Sequence, residues 1–102
     1  MIHLKDNYYL DFDKHNYILC EKKVVKKEGN KNFGEEYIEQ VLFGGRFKNF
    51  VKSYAEHVVK KKAYDGLLKS LSDIRKEFEE SVNSISSKQE EIIQALRNRL
   101  GE

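Results

Sequence analysis

The chain has 102 residues, 39% of them hydrophobic and 35% charged, and its 19 basic and 17 acidic side chains leave a net charge of only +2. That length supports one domain with a small core, and so even a balance gives no reason, on charge alone, to expect a polyanion partner. No apolar run approaches the roughly 20 residues of a membrane-spanning helix, and Met1–Asp6 has no secretory apolar core, so no membrane partner and a cytoplasmic site are expected.

Charge is distributed less evenly than the total suggests. Residues 1–62 carry 13 basic and 9 acidic side chains, and residues 63–102 carry 6 and 8. This separates a modestly basic head, 1–62, from a slightly acidic tail, 63–102. The single Cys20 has no intrachain partner for a disulfide, which suits a reducing compartment. Its setting, Ile18-Leu19-Cys20, reads as a strand with a buried structural thiol.

Asn7–Phe12 predicts a short strand, Asp13-Lys14 a turn, and His15–Lys26 a second, longer strand. The polar run Lys27–Gly34 predicts a hairpin loop. Glu35–Phe43 predicts a third strand, with Tyr37, Val41 and Phe43 on one face and Ile38, Gln40 and Leu42 on the other. Connections this short make the neighbours antiparallel. After Gly44-Gly45 the period changes. Phe47, Phe50, Val51, Tyr54, Ala55, Val58 and Val59 fall on one face of a helix that should cover one side of the sheet and end at Lys60-Lys61-Lys62.

Asp65 is a candidate cap for a second helix, which carries an apolar ladder with a repeat of eleven residues. Leu67, Phe78, Gln89 and Leu100 form one rail, Leu71, Val82 and Ile93 a second, and Ile74, Ile85 and Leu96 a third. Eleven residues make three turns of about 3.67 each, so the stripe runs nearly straight down the helix. Asn83, Ser84, Ser86 and Ser87 are poor helix formers, and Ser87-Lys88-Gln89-Glu90 matches a capping box. The helix either runs unbroken over 65–100 or breaks near Asn83–Ser87 and folds back. The uninterrupted register favours continuity. The fold class expected is therefore α+β: a three-stranded antiparallel meander packed by one amphipathic helix, then one long helix.

The first eighty or so residues resemble a family of small proteins encoded by phages and prophages of Gram-positive bacteria. The resemblance rests on Asp6-Asn7-Tyr8-Tyr9, Asp13–Leu19, Lys22–Lys27, Glu35-Glu36-Tyr37 and the switch from sheet to helix at Phe43–Phe50. Gly44-Gly45 departs from the more usual turn residues there, and the tail after Asn83 lies outside the match. The resemblance implies a phage accessory protein acting in a bacterial host cytoplasm, with a strand meander followed by helices and no catalytic residues.

The residues themselves point away from chemistry. His3, His15 and His57 have no Cys or carboxylate at metal spacing. Asp11-Phe12-Asp13 begins like a calcium loop, but Asn16 and Lys22 stand where Gly and Glu are needed. No phosphate-binding loop, nucleophile elbow or paired-carboxylate signature occurs. No cofactor and no enzyme activity are expected. Gly44-Gly45 with Arg46 and Lys48 at a helix start could hold an anion, although a plain turn accounts for them.

The expected function is binding to a bacterial protein, with a defence nuclease or a replication or transcription factor as the class of target and inhibition as the outcome. A head of this size covers about half of the long helix. Phe78, Val82, Ile85, Gln89, Ile92, Ile93, Leu96 and Leu100 are therefore the candidate interface, in a homodimer whose register Gln89 would set. Two alternatives stand. One is nucleic-acid binding through Lys22, Lys23, Lys26 and Lys27 with neighbouring tyrosines; the other is a structural dimer that scaffolds a complex.

Overall fold

A computed structural model describes residues 1–29 and 31–100, apart from the side chain of Leu100. The fold is α+β: an antiparallel sheet followed by helices. Among the described residues the sheet has four strands in the order β1-β2-β3-β4, namely Ile2–His3, Tyr8–Phe12, Tyr17–Val24 and Glu36–Gly44. The meander thus gains a two-residue strand, β1, whose Ile2 pairs with Leu10 and His3 with Tyr9. The turn between β1 and β2 puts Asp6 at a φ of 48°, a left-handed conformation that Asp tolerates.

Among the described residues three helices follow: α1 over Phe47–Tyr64, α2 over Leu71–Ser86 and α3 over Gln89–Leu100. Alternation assigns Tyr8, Leu10 and Phe12 of β2, and Tyr17, Leu19 and Glu21 of β3, to the helix-covered face. Phe50, Tyr54, Ala55 and Val58 of α1 are buried, as their spacing predicts. Tyr54 meets Tyr8 edge-on at 5.9 Å, and Phe47 meets Tyr17 edge-on at 5.2 Å. Gly44 lies under Phe50, and a Cβ there would stand 3.4 Å from Cβ of Phe50, an ordinary van der Waals contact.

Three local expectations are corrected. A register shift between Leu19 and Cys20 pairs Leu19 with Leu42 but Cys20 with Gln40, which leaves Val41 as an extra residue. The bulge reverses the alternation beyond it, so Phe43 shares a face with Ile38 and Gln40 rather than with Tyr37. Asp65 does not cap the second helix. It follows α1, which continues to Tyr64 and closes where Gly66, at a φ of 76°, and Leu67 bond back to Ala63 and Lys62. The N-cap of α2 is Ser70, whose Oγ accepts from the Asp73 N–H at 3.1 Å.

The third correction is the largest: the long helix is two helices. Ser81 Oγ donates to the Glu77 carbonyl, Ser84 Oγ to that of Ser81, and Ser87 Oγ to that of Ser84. Such back-bonding bends helices and competes with their ladder. Ser87 has a helical backbone where an N-cap needs an extended one, so it does not form the capping box with Glu90. The Ser87 backbone itself stays helical, at φ −68° and ψ −15°. The short interruption therefore redirects the chain with little loss of angular phase, and the eleven-residue register survives a break that continuity seemed to forbid.

α1 and α2 form an antiparallel hairpin. Lys62 meets Glu77 near one end, at 2.7 Å, and Tyr54 meets Ser84 near the other, at 2.8 Å. α3 then turns back to the sheet. Ile92 joins Leu4, Leu10, Leu19, Tyr54 and Ile85 in the core, Leu96 packs beside it, and Arg99 donates to the Phe12 carbonyl at 2.8 Å. The molecule is a slab of 45 × 41 × 19 Å. Its thin dimension holds one sheet and one layer of helices, so one face of the sheet carries no helix.

Candidate functional site

The expected interface residues divide between the core and the surface. Ile85 and Ile92 are fully enclosed, and Leu96 is partly covered by the same core. These three are corrected from interface to core, because the break in the helix lets α3 fold back over the sheet. Phe78 and Val82 are half-buried, while Gln89 and Ile93 are exposed. Gln89 opens α3 and lies outside the core, so it has no mid-ladder position from which to set a register within the chain. The Leu100 side chain lies outside the described residues.

The uncovered part of the ladder is instead its beginning. Leu71 is 82% exposed, Leu67 and Tyr64 are also exposed, and Ile74 and Phe78 are half-covered. Ile85, near the end of α2, lies on the apolar stripe and is buried; before it, the residues that meet the rest of the fold are Glu77, Ser81 and Ser84, about 90° round from the stripe on a helical wheel. α2 is thus docked by a polar flank. Glu77 is buried between Lys5, at 2.6 Å, and Lys62, at 2.7 Å. Burial alone would raise its carboxyl, but hydrogen bonds from the two lysines hold it below the ordinary carboxylate range. Tyr54 hydrogen-bonds Ser84, yet burial still pushes its phenol up to about 12. This polar seam was missed in the sequence. Its signal is the i, i+4, i+7 spacing of Glu77, Ser81 and Ser84, two of them small residues that allow close helix approach.

A second uncovered surface lies along β4. It is an edge strand, so one row of its backbone N–H and C=O groups has no strand partner. Ile38 is 47% exposed and Phe43 58%, and the register places both on the face without helices. Glu36 pairs with Lys22 at 2.8 Å, and Glu39 pairs with Lys23. These contacts draw each carboxylate back onto its own sheet.

The same pairs bear on the lysines proposed for nucleic acid. Lys22 and Lys23 are raised above the usual lysine value, chiefly by their hydrogen bonds to Glu36 and Glu39. Their charge is matched within the chain, so displacing a phosphate counterion atmosphere would first mean breaking these pairs. Lys26 and Lys27 lie exposed on the hairpin beyond β3, and Arg46 and Lys48 lie exposed at the start of α1. Lys26 lines an open recess together with Lys22, Lys23, Lys61, Glu21 and Tyr37, whereas Arg46 and Lys48 follow the opposite end of β4. Arg46 occupies the N-cap of α1 without a side-chain cap bond.

Glu21, Lys61, Lys23, Glu39 and His57 line an open recess between α1 and β4, in which Lys61 pairs with the buried Glu21. His57 packs edge-on against Tyr8 at 5.9 Å, and burial holds its imidazole below the ordinary value. Cys20 is buried, and the loss of solvation raises its thiol. Among the described residues no group of three or more His, Cys, Asp or Glu is placed to hold a metal ion, and no helix is long and apolar enough to cross a membrane. Compared with known proteins, the chain matches no family model, no curated protein and no solved structure.

Proposed function

We propose that this chain is a non-catalytic accessory protein of the phage type that captures a bacterial protein by adding one of its segments to the β4 edge. The observation that carries the reading is the state of that edge. Natural edge strands are commonly guarded by charge. Here the charges of Glu36 and Glu39 are matched by β3 lysines, while Ile38 and Phe43 stand exposed. An extended segment laid along β4 would satisfy the free backbone groups. Ile38 and Phe43 would receive its alternate side chains. The consequence for the target is inhibition by obstruction, since a bound slab of this size blocks access to the strand it captures.

The test is affinity capture from a nuclease-treated lysate of a Gram-positive bacterium, followed by titration of the purified target. Ile38→Lys combined with Phe43→Lys should weaken binding about tenfold or more while leaving the melting temperature in place, because both side chains are already in water. Binding that the double variant leaves intact would remove β4 from the interface. Capture that vanishes with nuclease digestion would favour the nucleic-acid alternative.

A further inference from the structure

We infer that the apolar stripe at the start of α2 is a homodimer surface, on which α2 of a second copy packs antiparallel about a two-fold axis near residue 76. The stripe is built from Leu71, Ile74 and Phe78, with Val82 continuing it. It is bounded differently on its two sides. One flank carries Glu77, Ser81 and Ser84 and is occupied by the contacts to Lys5, Lys62 and Tyr54. The other carries Arg75 and Glu79, which line the shallow groove over the stripe together with Leu71, Ile74 and Phe78. Among the described residues neither Arg75 nor Glu79 has an ion-pair partner.

This asymmetry selects the occupant and its direction. A parallel two-fold pair would set the free flank of one helix against the flank already filled by α1 in the other. An antiparallel two-fold pair sets free flank against free flank. With the axis near residue 76, Ile74 of one protomer lies level with Phe78 of its partner. Arg75 then lies within two residues, about 3 Å along the axis, of the partner's Glu79. The contact is reciprocal, so one dimer gains two such pairs. The charge pattern is thus complementary to itself: a cation and an anion one helical turn apart, on the one open side of an apolar stripe. α2 has 16 residues and is about 24 Å long. A face about 24 Å long and about 10 Å wide falls well short of a standard interface of about 800 Å² per partner, so weak, micromolar association is expected.

This dimer leaves β4 free, and it is measured on the purified chain alone, so it stands or falls apart from capture of a target. The experiment is sedimentation equilibrium of the whole chain across a concentration series up to about 500 µM, a range set by the micromolar expectation. Wild type should dimerise, and Ile38→Lys with Phe43→Lys should dimerise equally well. Leu71→Glu with Phe78→Glu should be monomeric, with an unchanged far-ultraviolet circular dichroism spectrum as the check on folding. Arg75→Glu and Glu79→Arg should each raise the dissociation constant roughly tenfold through loss of both reciprocal pairs. The two combined should restore wild-type affinity, because the swap regenerates the pairing. A wild type that stays monomeric over this range, or a dimer indifferent to the stripe variants, overturns the proposal. Single charge variants without effect, or a combined swap that fails to rescue, overturn the antiparallel register.

Discussion

At the end of α2 and in α3, the ladder residues Ile85 and Ile92 sit in one core with Leu10, Leu19 and Tyr54, whereas at the start of α2 Leu71 is 82% exposed and Ile74 and Phe78 are half-covered. Both regions belong to the same eleven-residue repeat. The difference lies in what docks beside each. The first half of α2 is held by Lys5 and Lys62 closing on Glu77, a contact on the polar flank that turns the apolar stripe aside. The second half ends in serines that bend the chain, and the bend brings α3 onto the sheet. An apolar stripe specifies which face wants cover. It does not specify which neighbour arrives first, and here two partly buried ion pairs to Glu77 accompany a different answer at each end.

The largest expected effect breaks the buried half. Ile85→Ala should cost about 2–5 kcal/mol, the range for emptying an enclosed aliphatic site, read as a lower midpoint in urea denaturation. A loss within about 0.5 kcal/mol would show that α3 does not hold Ile85 in the core. Acid should act next, on the clamp that distinguishes the two halves. Glu77 in the folded state lies below its ordinary 4.5, so its contribution is present above that pH and is lost as pH falls through the lowered value. His57, held below its ordinary 6.5 by burial, has the same sign and begins to cost stability at higher pH, where the unfolded imidazole takes a proton first. Melting temperature should therefore fall in two stages on acidification. Glu77→Gln should flatten the lower one, and an unchanged profile in that variant would remove the clamp from the account. The smallest effect belongs to the exposed half. Measured at a concentration low enough to keep the chain monomeric, Leu71→Ser should change stability by no more than about 0.5 kcal/mol, and a larger loss would mean that the stripe is covered within the monomer.

Much of the fold was legible because local chemistry sets it. The short strand within Asn7–Phe12, the change of period after Gly44-Gly45, and the helical face of Phe50, Tyr54 and Val58 follow from local propensity and from repeats that backbone geometry imposes on any chain. β1 was not legible, because two residues carry no period. Nor was the bulge at Val41, which moved Phe43 to the open face and so made it part of the candidate surface. From the sequence, the lysines of β3 are an alternative contact for nucleic acid. Their partners, Glu36 and Glu39, lie across a hairpin, and only strand register decides which charges meet. The serine cluster was noticed as a weak point, but propensity could not weigh it against the ladder.

The sequence by itself determined the three longer strands, the first helix, their order, the antiparallel pairing and the existence of an apolar stripe longer than a small head can cover. Each follows from interactions within a few residues along the chain. Only the tertiary structure decided that the stripe breaks at Ser87 and that its later half, not its earlier half, enters the core. Those outcomes depend on contacts between residues far apart in the chain: Lys5 with Glu77, Tyr54 with Ser84, and Arg99 with Phe12. Such contacts are worth little singly. Together they fix the rotation of α2 and the path of α3, and no periodicity encodes a rotation.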